Sequence, residues 1–571
     1  MDAGKRTIND IFNGNRILEI PFFQRAYVWG EDQWQRLLDD MEAISSLNKP
    51  YFLGSLILKQ QQKPTGSSVG DVRTVIDGQQ RITTLNIFFK VLCMKNRQTH
   101  LFDRTFRLND NNIALLHNRH DLQSFKKVLN LTSLDEIGDG DNILAAYNYF
   151  KEFLNPDKLD IQNILGSVLF VGIDLDASED EQQIFDTINS LGVKLTTAEL
   201  LKNYFFNRDD LASYSEFWEE VFEKDDKTRD YWDMEITTGR LKRTFIDLFF
   251  YSYLQIKIQE STLKVKTDDK IEFSKVETLF DSYKKLIKDY HLDKKTILSE
   301  IRKYAKLFYE NFDHDIIENE LIADFGIERI NAIIFGLDTS TLIPYVLFIL
   351  KNVKDEKEKN KIFEFLECYL MRRMVVHAST KNYNQLFTDR LISNEILSLS
   401  QLQDYIAKSS DKVNYLPTDA DLKYGFENSY LVNKQSAGIL YFIESRIRNR
   451  KRHGTQLLGI SKYSLEHLMP KKWENHWGRL TNKDARDYRN NIVYTLGNLA
   501  IITQSLNASI RDANWKTKKK GKGNKDGLIQ YSAGIETLSS YLDLEQWNES
   551  EIEKRAKFLY NKAIKMWQVE N

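Results

Sequence analysis

The chain has 571 residues, of which 42% are hydrophobic, 12% are aromatic and only seven are prolines. This composition excludes a disordered or fibrous protein and predicts a packed, helix-rich chain of roughly two to four domains. The formal net charge of −2 hides an asymmetry, because residues 441–571 carry 24 Lys and Arg against 14 Asp and Glu. The basic C-terminal part predicts a polyanionic partner.

The two cysteines, Cys93 and Cys368, lie among apolar residues. They are too few for a disulfide framework or a multi-cysteine zinc site, and they favour a reducing, cytoplasmic location. The first thirty residues have no continuous apolar core, and the most apolar window, residues 331–350, is interrupted by Asp338 and Pro344. We therefore expect neither a signal peptide nor a membrane span.

The N-terminal part alternates between strand and helix patterns. Residues 51–58, YFLGSLIL, are typical of a strand, residues 59–71 of an exposed polar loop, and residues 74–76 of a second strand. After Arg81 the apolar residues follow helical spacing. The stretch VIDGQQRITTL, residues 75–85, is thus predicted to be a strand, a turn and the start of a helix.

This turn carries more polar groups than a plain connection needs, although an Asp-Gly turn before a helix is common. The first turn of a helix offers unpaired N–H groups and the positive end of the helix dipole, which suit a phosphate. Arg81 adds a charge-assisted contact, Thr83 a hydroxyl, and Asp77 a carboxylate for a hydrated Mg²⁺ or a water. The pattern predicts a nucleotide pocket.

The common nucleotide-binding signatures are missing from the sequence. Residues 454–461, GTQLLGIS, have P-loop glycine spacing but Ile460 where the phosphate-binding lysine belongs. Residues 521–527, GKGNKDG, lack the dinucleotide spacing and follow no predicted strand. A nucleotide site in this chain must therefore use another scaffold.

The segment IFDTINSLGVKLTTAELLKNYFF, residues 184–206, predicts two helices in succession. Gly192 is placed to end the first helix. Thr196 and Glu199 have the spacing of a capping box at the start of the second helix.

From residue 213 to residue 440 nearly every segment has helical periodicity, as in RTFIDLFFYSYLQI and KIFEFLECYLMRRMVV. Basic runs and short strand-like segments follow. We therefore predict three parts, with strands and helices in 1–212, helices in 213–440 and a separate domain in 441–571. The predicted fold class is α+β, predominantly α-helical.

The C-terminal part places His467 at the end of a predicted strand, in EHLMP, residues 466–470. Asn498 follows in a loop after a glycine, a second strand comes next, and Asn507 lies at the start of a helix that ends in lysines. A strand-borne His, a loop Asn, a strand and a helix-borne ligand follow the order of a ββα-metal nuclease domain, also called HNH or His-Me finger. We predict that fold for residues 441–571.

The chemistry of phosphodiester hydrolysis explains these residue types. A neutral His467 accepts a proton from the attacking water, and a single Mg²⁺ or Mn²⁺ with few protein ligands stabilises the leaving oxygen. Glu466 and Asn507 are the predicted metal ligands, and Asn498 is expected to brace the loop at His467. Adjacent side chains of a regular strand face opposite ways, so Glu466 and His467 share a site only if Pro470 or a bulge bends the strand.

Lysines cluster shortly after His467 and shortly after Asn507 in the sequence. The run KTKKKGKGNK is typical of a solvated loop, but beside a nuclease helix it also suits the phosphate backbone of DNA. Such contacts give affinity without sequence information. The predicted DNA-binding residues are all lysines: Lys471, Lys472, Lys516, Lys518, Lys519 and Lys520.

Four N-terminal motifs, IPFFQRAYVW, FLGSLIL, VIDGQQRITTL and IFDTINSLGVKLTTAELLKNYFF, together resemble the N-terminal domain of the GmrSD family of modification-dependent (type IV) restriction enzymes, shared with SspE-type and BrxU-type phage-defence proteins. The resemblance implies a ParB-like α/β domain that binds and hydrolyses a nucleoside triphosphate, whether GTP, UTP, CTP or ATP. Gln24 and Arg25 would lie near its pocket. The DGQQR motif would form the pocket itself: Asp77, Gly78, Gln79, Gln80 and Arg81.

The motifs EHLMP, YTLGNLAIITQSLN and WNESEIEKRAKFLY are similar to the C-terminal nuclease domain of the same family. Both resemblances together imply a nucleotide-regulated, Mg²⁺-dependent endonuclease that restricts modified or foreign phage DNA. A homodimer is compatible with this activity, because a single HNH site cuts one strand. The residues also leave open a nucleotide-switched protein that binds DNA without cleaving it, and a nuclease that acts on RNA or as a toxin.

Overall fold

The computed structural model of the chain describes residues 2–21, 24, 26–47, 49–61, 71–118, 121–135, 137–138, 140–176, 196–206, 210–238, 241–408, 413–448, 456–510, 512–523, 525–532 and 535–569. The chain forms two compact units, Met1–Glu220 and Val221–Asn571. The predicted division into three parts at residues 212 and 440 stays a prediction.

The described part of the first unit contains a mixed six-stranded sheet. Its strands are β1 Asp2–Thr7, β2 Arg16–Glu19, β3 Tyr51–Gln60, β4 Asp71–Asp77, β5 Leu115–Leu116 and β6 Val168–Leu175. They lie in the order β1-β6-β3-β4-β2-β5. The pairs β1 with β6 and β3 with β4 are antiparallel, and the other neighbours are parallel. The strands predicted at residues 51–58 and 74–76 are confirmed as β3 and β4.

The helices of the first unit follow in chain order: α1 Ile8–Ile11, α2 Glu31–Leu47, α3 Gln79–Lys95, α4 Thr99–Phe106, α5 Leu122–Leu129, α6 Asn142–Phe153, α7 Ile161–Ser167, α8 Thr197–Phe205 and α9 Leu211–Tyr214. Helix α3 follows β4 through Gly78 alone and is buried along nearly its whole length. Its rings pack on neighbouring helices, with Phe88 5.5 Å from Phe150 and Phe89 5.2 Å from Phe106 between centroids. The predicted strand, turn and helix are confirmed.

The second unit carries the hairpin β7 Glu235–Thr238 and β8 Leu241–Thr244. Its helices as far as residue 447 are α10 Asp226–Asp233, α11 Phe245–Lys257, α12 Thr267–Phe273, α13 Leu279–Asp289, α14 Lys294–Asn311, α15 Ile327–Gly336, α16 Ile343–Asn352, α17 Glu356–Val375, α18 Leu391–Ser393, α19 Leu399–Lys408, α20 Asp419–Asn428 and α21 Asn433–Ile447. Two segments are π-helical, Ser215–Glu223 and Gln385–Arg390. Helices α11 and α17 confirm the helical periodicity predicted for this part.

The last part of the second unit contains a strand pair and short helices. Strands β9 Tyr463–His467 and β10 Leu499–Thr503 are antiparallel. The helices are α22 Lys483–Ile492, α23 Gln504–Ile510, α24 Trp515–Lys520, α25 Leu528–Ser532 and α26 Glu549–Met566. The sequence predicted one helix from Asn507 through the lysines. The structure instead has α23 and α24, because the side chain of Asn514 accepts the Thr517 N–H at 2.9 Å and starts a new helix.

The helical and C-terminal segments of the second unit share buried polar contacts. Arg372 of α17 donates from Nε to the carbonyl of Trp567 at 2.8 Å, and Trp567 Nε1 donates to Glu367 Oε1 at 3.1 Å. Glu367 also accepts two hydrogen bonds from the buried Arg329, at 2.6 and 2.8 Å. Trp567, the residue after α26, is therefore fixed to α17. Across the described part of the chain, no helix combines the length and hydropathy that a membrane span requires.

Candidate functional site

His467 is the last residue of β9, where it pairs with Leu499 of β10. Its ring stands edge-on to the ring of Tyr494, with 6.0 Å between centroids. Burial lowers the pKa of His467 to about 3, and the positive charges of Lys471 and Lys518 act in the same direction. The imidazole is therefore neutral at physiological pH and has a nitrogen free of a proton, as a general base requires.

Asn498 is fully buried beside the loop that follows His467. Its Oδ1 accepts hydrogen bonds from Met469 N at 2.8 Å and Trp547 Nε1 at 2.9 Å. Its Nδ2 donates to the carbonyls of Met469 and Val493, both at 2.8 Å. The protein thus satisfies the whole amide. Asn498, predicted from the sequence to brace the loop at His467, uses its whole amide to hold that loop, and its place in the catalytic set stays a prediction.

Arg555 of α26 supports the same loop from behind and was missed by the sequence reasoning. Its buried guanidinium donates to the carbonyls of Gly497 at 2.9 Å and Leu499 at 2.6 Å. Gly497 leaves room for this packing, since a Cβ there would lie 2.2 Å from the carbonyl of Ile552. The segment WNESEIEKRAKFLY gives no sign of this, because Arg555 has the same charge and helical setting as its exposed neighbours.

Glu466 is turned away from His467. Strand β9 pairs with β10 without a register shift, so the bend that would bring both side chains together is absent. The Glu466 carboxylate is 5% exposed and accepts a hydrogen bond from Lys518 Nζ, which also donates to the His467 carbonyl at 2.6 Å. Burial raises the pKa of Glu466 and lowers that of Lys518. The Glu466 carboxylate is thus engaged in a buried ion pair in this structure, and its assignment as a metal ligand stays a prediction.

The six predicted DNA-binding lysines differ in what their ammonium groups contact. Lys518 is buried against Glu466, and Lys519 donates to the carbonyl of Leu544 at 2.5 Å. Both ammonium groups are engaged within the protein in this structure, and the assignment of these two lysines to DNA stays a prediction. The other four lysines are exposed: Lys471, Lys472, Lys516 and Lys520.

Asn507 of α23 faces β9. Its Nδ2 donates to the Ser464 hydroxyl and to the Leu465 carbonyl, both at 3.1 Å. The carbonyl can only accept, so the orientation of the amide is fixed. Asn507 Oδ1 accepts no hydrogen bond from the described residues, and the side chain borders a cleft of about 470 Å³.

One side-chain oxygen in this part of the site suits a divalent cation. Asn507 Oδ1 is a hard oxygen donor that the protein leaves open, which suits Mg²⁺. Glu466 is the other predicted ligand, and its carboxylate would have to exchange Lys518 for the metal. Among the described residues there is no cluster of three or more His, Cys, Asp and Glu side chains that would hold a metal without the substrate.

In the first unit, the predicted pocket begins where β4 ends. Asp77 is the last residue of the strand, and Gly78 has φ of 98°. A Cβ at Gly78 would lie 2.8 Å from Leu56 Cδ1, so both the backbone and the space require glycine. No side chain caps α3 at this end, so the positive end of its helix dipole carries no side-chain hydrogen bond at the N-cap.

Asp77 and Arg81 are paired across this turn. Arg81 Nη2 donates to Asp77 Oδ2 at 2.9 Å and to the Ser55 carbonyl at 2.7 Å, and the Ser55 hydroxyl donates to Asp77 at 2.7 Å. Arg81 Nε is buried and has no hydrogen-bond partner among the described residues. The guanidinium therefore retains a donor beyond its contacts in β3 and β4.

The other predicted pocket residues mainly hold the surrounding chain. Gln24 Nε2 donates to the carbonyls of Val75 and Ile76 at 3.0 and 3.1 Å. Gln80 Oε1 accepts from Val28 N at 2.9 Å, and Gln79 is buried. These contacts position the turn. Arg25 lies outside the described residues.

Thr83 contacts a buried histidine that the sequence reasoning missed. Its hydroxyl lies 2.8 Å from His117 Nε2, and His117 Nδ1 lies 3.3 Å from Asp121 Oδ2. Burial lowers the pKa of His117 to about 3 and raises that of Asp121 to about 6. Asp121 also accepts the Tyr27 N–H at 2.8 Å. Thr83 is fully buried, so it anchors α3 and does not face a ligand.

The capping box predicted at Thr196 is confirmed. Thr196 Oγ1 accepts the Glu199 N–H at 3.2 Å, and the Glu199 carboxylate accepts the Thr196 N–H at 3.0 Å. The helix predicted before it, with Gly192 at its end, lies outside the described residues.

Comparison with models of protein families gives two matches. Residues 8–206 match the GmrSD restriction endonuclease N-terminal domain, and residues 416–562 match the GmrSD restriction endonuclease C-terminal domain. The two matches follow the order of the chain and together cover more than half of it. No curated protein gives a significant match. The chain therefore belongs to the GmrSD restriction endonucleases, a family of nucleases that cleave DNA in restriction.

Proposed function

We propose that this protein is a nucleotide-regulated, Mg²⁺-dependent or Mn²⁺-dependent endonuclease that cuts modified or phage DNA in the cytoplasm. Its C-terminal part would be a ββα-metal (HNH) nuclease domain and its N-terminal part a ParB-like nucleotide-binding domain. The observation that carries the proposal is the neutral imidazole of His467 at the end of β9, held by a loop that Asn498 fixes.

In the proposed reaction, His467 accepts a proton from a water that attacks the scissile phosphorus. The P–O bond to the leaving oxygen breaks, and that oxygen takes up a proton from solvent. A bound Mg²⁺ supplies charge stabilisation at the phosphate and the leaving oxygen. Asn507 would hold it through Oδ1, with phosphate oxygens and waters completing the shell.

DNA would be held by four exposed lysines that follow His467 in the sequence. Lys471 and Lys472 follow the strand that bears His467, and Lys516 and Lys520 lie on α24. Their ammonium groups suit backbone phosphates, which give affinity without sequence preference.

In the first unit, a nucleoside triphosphate would bind at the turn between β4 and α3. The positive dipole end of α3 suits a phosphate, and Arg81 Nε offers a donor. The charge of Asp77 is available for a hydrated Mg²⁺ once the triphosphate competes for Arg81. Gly78 lets the backbone approach the ligand closely.

The test uses the purified full-length chain with Mg²⁺, plain and modified plasmid DNA, tRNA, and GTP, UTP, CTP or ATP in turn. The proposal expects DNA cutting that at least one nucleotide stimulates or inhibits in the wild type and leaves unchanged in Arg81→Ala. Cutting of tRNA in place of DNA would make the protein a ribonuclease. Binding of DNA without any cutting would make it a nucleotide-switched DNA-binding protein.

A further inference from the structure

A cleft of about 470 Å³ lies within the second unit, between its helical segment and β9. One side is formed by the end of α15 at Phe335 and Gly336 and by the first turns of α21. The other side is formed by residues 460–465 and by Asn507. The cleft therefore touches the strand that ends in His467, and of the residues that line it the proposed nuclease mechanism uses Asn507 alone.

The lining of the cleft suits a flat and neutral ligand. Phe335, Tyr463 and Leu465 offer ring and aliphatic surface, while Ser464 and Asn507 offer hydroxyl and amide groups. Apolar walls with a few polar groups are typical of sites that bind small organic molecules, and the volume lies in their range of roughly 300–1,000 Å³.

The charges at the cleft argue against a nucleoside triphosphate. Lys434 is the one cationic residue among the described residues that line it, and its ammonium is paired with Asp338 at 2.6 Å. No carboxylate lies among those lining residues either. A triphosphate would find no surplus positive charge there, whereas a neutral nucleobase needs none.

Part of the cleft lining, Tyr463 and Leu465, lies on the same face of β9 as His467, whereas Ser464 lies on the opposite face. Side chains alternate along a strand, so Leu465 and His467 project from the same face, with about 7 Å between their Cα atoms at the usual rise of about 3.4 Å per residue. Successive nucleotides are spaced on that scale when the DNA backbone is extended. A base turned out of the duplex next to the phosphate at His467 would therefore reach the cleft.

We propose that this cleft receives a nucleobase extruded from the DNA substrate beside the scissile phosphate. Rings of Phe335 and Tyr463 would contact the base, and the Ser464 oxygen, which keeps one lone pair beyond its bonds to Asn507 and Ile502, would accept a hydrogen bond from its polar edge. The volume exceeds that of an unmodified pyrimidine and leaves room for a substituent on the ring. The inference rests on the proposed function, because it requires DNA cutting at His467.

The test fills the cleft in the full-length protein. Ala437 of α21 lines the cleft and is half-buried, so Ala437→Phe would occupy it, and Ser461→Trp at its exposed rim is a second variant in case the first folds poorly. Ala407→Phe, on the exposed face of α19, is the matched control. The probes are duplexes with one cytosine, 5-hydroxymethylcytosine or glucosylated 5-hydroxymethylcytosine, each followed by the fluorescent base 2-aminopurine, which brightens when its neighbour unstacks.

With EDTA present, at least one duplex should become about twofold or more brighter when it binds the wild type, His467→Ala or Ala407→Phe. The two cleft variants should bind the same duplex without that rise in fluorescence. With Mg²⁺, the cleft variants should cut that duplex about tenfold more slowly. Unchanged fluorescence with a duplex that the wild type cuts would overturn the inference and leave the proposed function intact. Cutting by His467→Ala would instead overturn the proposed function.

Discussion

At the scale of single residues, burial decides which charged and polar side chains are available for chemistry. His467 and Glu466 are neighbours in sequence, yet one is a neutral base and the other is closed off by Lys518. The alternation of strand side chains made this separation predictable. The ion pair of Glu466 with Lys518 was not predictable, because Lys518 stands in a run of lysines and is buried only through the packing of α24.

The pKa of His467 gives a prediction about pH. An ordinary histidine with a pKa near 6.5 is only about one tenth neutral at pH 5.5. His467 has a folded pKa of about 3, so it loses its proton well below that pH and remains a base. The rate of DNA cutting at subsaturating DNA should therefore change less than about twofold between pH 7.5 and pH 5.5. A tenfold fall that follows one proton would show that His467 titrates normally.

The Glu466–Lys518 ion pair gives a prediction about stability. Lys518→Met would leave the carboxylate buried without its partner and should lower the free energy of unfolding by about 3–5 kcal/mol. The matched control is Lys516→Met on the same helix, which is exposed and should change it by less than about 0.5 kcal/mol. Urea unfolding measures both. Equal changes in the free energy of unfolding for the two variants would mean that the Glu466–Lys518 pair is not buried in solution.

At the scale of elements, the strand, turn and helix at residues 75–85 were predictable because the hydrophobic period changes at an Asp-Gly turn. The ion pair of Asp77 with Arg81 across the turn was not predictable, since it depends on how β3 places Ser55 beside them. The two short helices after β10 were not predicted either, because an internal cap at Asn514 outweighs a continuous pattern of helix-forming residues.

The turn between β4 and α3 yields a binding prediction. Arg81→Ala should weaken binding of the preferred nucleoside triphosphate at least about tenfold, since it removes a charge-assisted contact. Arg104→Ala, at an exposed position of α4, is the control and should bind like the wild type. Equilibrium dialysis with labelled nucleotides measures this directly. Equal affinities for all three proteins would remove the turn as the nucleotide site.

Helix α26 yields a prediction about how the loop at His467 is positioned. Arg555→Met would leave the carbonyls of Gly497 and Leu499 without their buried donor and should slow cutting more than it weakens DNA binding. Lys557→Met, exposed on the same helix, should leave both unchanged. Single-turnover cutting and binding assays separate the two effects. Equal losses of cutting rate and of DNA affinity in Arg555→Met and Lys557→Met would argue against a specific role for Arg555.

At the scale of the whole molecule, the chain joins two GmrSD domains through a helical segment. The second unit packs that segment and the C-terminal part together, with Arg372 and Glu367 bonded to Trp567 near the chain end. Composition and periodicity predicted the helical content. They did not predict these bonds, because a buried arginine and an exposed one look the same in a helical sequence pattern.

The charge distribution predicts how DNA binding responds to salt. Each lysine that meets a phosphate adds about 0.9 to the slope of log affinity against log salt concentration. Lys472→Ala or Lys516→Ala should each reduce that slope by about one for every DNA sequence tested. Lys357→Ala, in the first turn of α17, is a control expected to leave it unchanged. An unchanged slope in all variants would exclude these lysines from the DNA interface.

The central claim is that His467 performs DNA cleavage, and one comparison tests it most directly. The comparison uses His467→Ala and, as its control, His476→Ala. His467 is half-buried at the end of β9, whereas His476 is exposed and lies nearby in the sequence. Cutting and binding of the same DNA are measured side by side with Mg²⁺. We expect His467→Ala to bind DNA normally and to cut it at least about a hundredfold more slowly, while His476→Ala behaves like the wild type. Cutting by His467→Ala at the wild-type rate would contradict the account.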